Sequence, residues 1–161
     1  MDPIALARAK WAEHGWEGVA DGMAAVTSVM RAQQVYQQRV DEVLKPFALT
    51  FARYELLMLL HFSSRGSMPL KKASERLQVH PTSITNAVDR LEAAGLVERL
   101  PHPTDGRSSL IAVTEEGRRL ALKATAALNT EVFGHPLLEP AEVRRLVKVL
   151  EVLRRNAGDL G

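Results

Sequence analysis

Thr82, Ser83, Thr85 and Asn86, followed one helical turn later by Arg90, put short hydroxyl and amide groups and a guanidinium on one stretch of chain. Such groups reach phosphate oxygens and base edges, and an asparagine can present a donor and an acceptor together to adenine. A second candidate lies nearby. Arg107, flanked by Gly106 and Ser108 in the turn-rich segment PHPTDGR, is a single cation suited to a narrow protrusion entering the minor groove, where negative potential is concentrated. Asp105 could brace that tip by pairing with an arginine, or act as a turn-forming aspartate before glycine, and both roles can hold together. The plainer reading of the first group is a solvated helix face.

Other chemistries find less support. His14, His61, His80, His102 and His135 are scattered, with no pair spaced i, i+4, so no metal site is expected. Ser63 and Ser64 lie near His61, but no G-x-S-x-G turn presents a nucleophile, and they read as turn residues. The absence of cysteine excludes a disulfide framework, a thiolate nucleophile and thiol-based oxidant sensing. Neither an enzyme nor a cofactor is expected. The formal charge of +2 is too small to identify a polyanionic partner, and between Arg65 and Arg107 seven basic residues face five acidic ones, again a local +2. Charge alone favours an ordinary solvated surface.

The elements that must position these residues follow from periodicity. At 161 residues and 46% hydrophobic side chains, the chain can bury one core. No run of about 18 apolar residues occurs, and the first residues lack the pattern of a signal peptide, so a cytoplasmic protein with no membrane partner is expected. Asp2 and Pro3 open a short helix that ends near Gly15; a second, of some 28 residues from about Gly18 to Lys45, stops at Pro46. It is longer than a small domain is wide. Thr50 caps FARYELLMLLHF, whose crowded apolar residues imply burial on several sides. After the turn SSRGSMP come a short helix from Leu70 to Leu77, a tight connection, and a helix that starts at Pro81, carries Ile84, Val88 and Leu91 inward, and stops at Gly95. LVERL and SLIAV then alternate as a two-stranded hairpin around PHPTDGR. Thr114 caps a helix to about Val132, and a last one runs from Pro140 to about Asn156.

Short helix, tight turn, helix, strand, polar tip, strand is the order of a winged helix-turn-helix, whose second helix fits the major groove. The segment VHPTSITNAVDRLEAAGLVERLPHPTDGRSSLIAVTEEGR resembles the signature of the MarR family: a recognition helix ending in D-R-L-E-x-x-G-L-V, a wing with D-x-R-S, and T-x-x-G opening the next helix. The resemblance implies a homodimer with interleaved N- and C-terminal helices, a palindromic operator on double-stranded DNA, Arg107 in the minor groove, and release by a small-molecule effector. Trp11, in an added N-terminal helix, resembles the urate-responsive subgroup. Glu55, however, stands where that subgroup has an aspartate, and Ala87 near where it has an arginine. The plainer role for Trp11 and Trp16 is to anchor the N-terminal helix.

The expectation is thus a mainly α protein with a small β-hairpin wing, a winged helix-turn-helix with N- and C-terminal dimerisation helices. Residues 1–48 would be dimerisation helices, 49–113 the DNA-binding lobe and 114–161 further dimerisation helices. Its function would be that of a homodimeric transcriptional regulator, a repressor on a pseudo-palindromic operator. DNA contacts are expected from Thr82, Ser83, Thr85, Asn86, Arg90, Asp105, Arg107 and Ser108, and effector contacts from Trp11 and Glu55. The rivals are a winged-helix module that binds a protein and a small helical enzyme, the latter without a catalytic cluster.

Overall fold

The Asp2 carboxylate accepts the Ile4 backbone N–H at 3.0 Å, and with proline at the first helical position this cap starts α1, Pro3–Glu13. A computed structural model describes residues 1–160, which fall into two compact units, the first Met1–Glu42 and the second from Val43 onward. The first holds α1 and most of α2, Glu17–Leu44. Trp11 and Trp16 meet edge to face at 5.5 Å across the turn between the two helices, and Ala20 is buried beside it. No residue of α1 is itself buried, and Val19, Val26 and Met30 of α2 stay largely exposed.

The second unit is built on α3, Phe51–Phe62, capped by Thr50, whose hydroxyl accepts the Arg53 N–H at 3.3 Å. Its Leu56, Leu57 and Leu60 are fully buried, each contributing about 2 kcal/mol of transfer free energy. Next come β1, Ser67–Pro69; α4, Leu70–Leu77; α5, Pro81–Ala93; β2, Val97–Pro101; β3, Ser109–Val113; α6, Glu115–Leu128; and α7, Pro140–Asn156. Tyr54 of α3 bonds Thr125 of α6 through its hydroxyl at 2.7 Å.

Two expectations are corrected here. The sheet has three strands, ordered β1-β3-β2 and antiparallel throughout, because Met68 in the expected turn pairs opposite Ile111 and tucks into the core. The helix after Thr114 does not run evenly to Val132. It becomes a π-helical turn over Asn129–Phe133, closed by the Gly134 N–H on the Asn129 carbonyl five residues back at 2.8 Å. Among the described residues no helix is long and apolar enough to cross a membrane.

Candidate nucleic-acid interface

In α5, Ile84, Val88 and Leu91 are at most 2% exposed, and their 3.6-residue spacing fixes which face is left outside. Thr82, Ser83, Asn86 and Arg90 occupy that face, exposed, and their side chains make no hydrogen bond or ion pair among the described residues. Thr85 differs. It is half-buried and its hydroxyl donates to the Pro81 carbonyl at 2.9 Å, so only its lone pairs remain for an outside donor.

The wing tip is organised from within. Asp105 accepts the backbone N–H of Arg107 at 3.0 Å, and its own carbonyl takes the Ser108 N–H at 3.2 Å. Its carboxylate thus closes the turn, and it pairs with no arginine side chain among the described residues. The Arg107 side chain is exposed and has no partner among the described residues, while Ser108 is half-buried where the tip rejoins the sheet. Thr82, Ser83, Asn86 and Arg90 share one helix; Asp105, Arg107 and Ser108 share one turn.

The tie between helix and wing went unforeseen. Arg99 on β2 donates to Asp89 at 2.5 Å and to Glu92 at 2.7 Å, both on α5, and the Arg99 backbone N–H adds a third bond to Glu92 at 3.1 Å. Hydrogen bonding to Asp89 above all, and to Glu92, pushes the guanidinium pKa further up. Asp89 and Glu92 at i, i+3 were visible as a pair, but nothing in a single sequence identifies the strand residue that answers them. Arg99→Ala should cost at most about 1 kcal/mol of stability, because both carboxylates are well exposed. The melting temperature should then move by only about 2–4 °C. DNA affinity should fall, since two acidic groups lose their counter-charge beside the polar face of α5. Arg99→Lys should not restore it, because an ammonium cannot fork to two carboxylates. Thermal melts and duplex titration check both statements.

The two effector candidates fall in different units, Trp11 in the first and Glu55 in the second. The ring partner of Trp11 is Trp16, on the turn that joins α1 to α2. Glu55 has no hydrogen bond or ion pair among the described residues, and desolvation pushes its carboxyl pKa up. No group of three or more histidine or acidic side chains among the described residues could hold a metal ion.

Comparison with known proteins locates this arrangement. A family model described as "MarR family" matches residues 49–109, from just before α3 to the start of β3. The uncharacterized HTH-type transcriptional regulator YhbI of Bacillus subtilis is 35% identical over 131 residues, covering 81% of this chain and 80% of its own length. The chain belongs to the MarR family. The crystal structure of Sco5413, a MarR family transcriptional regulator from Streptomyces coelicolor, is 47% identical and covers 87% of this chain and 97% of that one, with a TM-score of 0.79. Sco3205 from the same organism, solved in complex with DNA, shares the fold at 23% identity and a TM-score of 0.74, over 85% of this chain and 88% of its own. This MarR-family chain is a winged helix-turn-helix DNA-binding transcriptional regulator, in a family of regulators and not of enzymes.

Proposed function

We propose that this MarR-family regulator acts as a homodimeric repressor on a pseudo-palindromic operator in the cytoplasm. Each α5 lies in a major groove, with Asn86, Thr82, Ser83 and Arg90 toward bases and phosphates, and each wing puts Arg107 into the flanking minor groove. The observation that carries this reading is the division of α5: three apolar residues wholly buried, four polar ones exposed and unpaired among the described residues. A helix of about 10–12 Å diameter with short polar side chains fits a groove of about 12 Å. Sco3205, with the same fold, was crystallised on DNA.

Dimerisation is assigned to residues 1–48 and 114–161. Val19, Val26 and Met30 of α2 are 63%, 59% and 64% exposed, and Val147, Val149, Val152 and Leu153 of α7 are 51–63% exposed. Apolar residues in such numbers on two helices support burial by a partner chain. A small molecule that shifts these helices would alter the spacing of the two α5 and release the operator.

A mobility-shift titration over a salt series tests DNA binding against the rival protein-binding module, because phosphate contacts make affinity fall steeply with salt. Sedimentation on dilution tests the dimer. The expected results are salt-sensitive duplex binding and no folded monomer at any concentration. A stable, well-folded monomer would refute the assembly, and salt-insensitive or absent duplex binding would refute the reading of α5.

A further inference from the structure

The tripeptide His-Pro-Thr occurs twice, at His80-Pro81-Thr82 and His102-Pro103-Thr104, and the two copies open the two DNA-reading parts of the fold. The structure gives both copies the same bond. The His80 Nδ1 accepts the Thr82 N–H at 3.1 Å and caps α5. The His102 Nδ1 accepts the Thr104 N–H at 3.2 Å and the Asp105 N–H at 3.1 Å, at the start of the wing tip. Proline supplies no N–H and disfavours the helical region for the residue before it, so the first available donor is two residues on. His80 has the extended backbone this requires, φ −61° and ψ 142°. The ring nitrogen thereby does what an aspartate or asparagine oxygen does in a helix cap or an Asx turn. Only a ring whose Nδ1 keeps its lone pair can do this.

We propose that the repeated His-Pro-Thr is a positioning device for DNA recognition, with His102 acting through Arg107 and His80 acting through the first turn of α5. The inference rests on the reading of Arg107 and α5 given above. At the tip the chain of bonds is continuous: His102 holds the Asp105 N–H, and Asp105 in turn holds the Arg107 N–H at 3.0 Å. Without the imidazole acceptor, two N–H groups are released and the turn that aims Arg107 is free to open. At α5 the His80 cap fixes the backbone from which Thr82 and Ser83 project. Neither histidine belonged to the set of contact residues expected from sequence, because a lone histidine before a proline carries no sign of what its ring accepts.

The test uses the full-length protein and a duplex of about 30 base pairs recovered from a random-sequence pool by its own binding. His102→Ala should weaken binding about fivefold, the usual size of a lost cap. His102→Asn, which returns an acceptor to the same place, should restore it. In an Arg107→Ala background His102→Ala should cost no more than about twofold, whereas His80→Ala should cost its full factor there, since independent sites add. Amide exchange at Thr104 and Asp105 should quicken in His102→Ala and slow again in His102→Asn, a readout independent of DNA. Full, additive loss from His102→Ala in the Arg107→Ala background would overturn the coupling, as would unaltered binding by His102→Ala alone. Wild-type affinity in Arg107→Ala alone would instead refute the wing contact on which the inference rests.

Discussion

Gly117→Ala should lower the melting temperature by roughly 4–8 °C, a net loss of about 2 kcal/mol. A Cβ at Gly117 would stand 2.0 Å from the Leu96 carbonyl oxygen and 2.9 Å from its carbon, and these are backbone atoms that no rotamer change can move aside. The approach is that close because β2 and α6 are stitched together at this corner. The Thr114 N–H donates to the Leu96 carbonyl at 3.1 Å, the Thr114 hydroxyl donates to the Gly95 carbonyl at 2.8 Å, and the same hydroxyl accepts the Gly117 N–H at 3.0 Å. Alanine would gain about 1 kcal/mol in helix propensity, but relieving the overlap requires α6 to leave the wing, at about 3 kcal/mol or more. The clash prevails. The T-x-x-G pattern is therefore a packing requirement at the base of the wing, and a Gly117→Ala protein that melts with the wild type would contradict it.

Asn86→Ala should cost roughly 1–3 kcal/mol on the operator and much less on random duplex, so the ratio of specific to non-specific affinity should collapse. Asn86 is exposed on α5 beside Thr82, Ser83 and Arg90, with its amide unspent on the described residues of the protein itself. An amide offers a donor and an acceptor together, which a phosphate cannot use and a base edge can. Arg107→Ala should fail differently. Its guanidinium meets backbone potential and groove width more than base identity, so affinity should fall on all sequences and the salt slope should lessen by about one. Equal losses on operator and scrambled DNA for Asn86→Ala would show that this face does not read bases.

Most of the helical frame was legible because its signals are local. Pro81 at a first helical position and the spacing of Ile84, Val88 and Leu91 fix both the start and the inward face of α5, and Thr50 and Thr114 cap where they were expected. What escaped depends on distant partners. Strand β1 has three residues and exists only through pairing with β3 more than forty positions on. Gly134 lies just past the helix end expected near Val132, yet it closes a π turn in which a Cβ would lie 2.6 Å from the Asn129 carbonyl oxygen. The exposed candidates Thr82, Ser83, Asn86 and Arg90 follow from which face of α5 is apolar, and Arg107 follows from the turn-rich segment around it. The Arg99 clamp and the two histidine acceptors do not, since a sequence shows which groups can bond and not which ones meet.

In the proposed dimer α5 is presented twice and reads base sequence through Asn86. Selection of bound duplexes from a random pool, run in parallel with the wild type and Asn86→Ala, tests it most directly. The wild type should recover an inverted repeat with half-sites centred roughly 10 base pairs apart, one DNA turn. Asn86→Ala should recover a pool with weakened preference at a matching position in each half-site. A wild-type pool without inverted symmetry, or the same consensus from both proteins, would contradict the account.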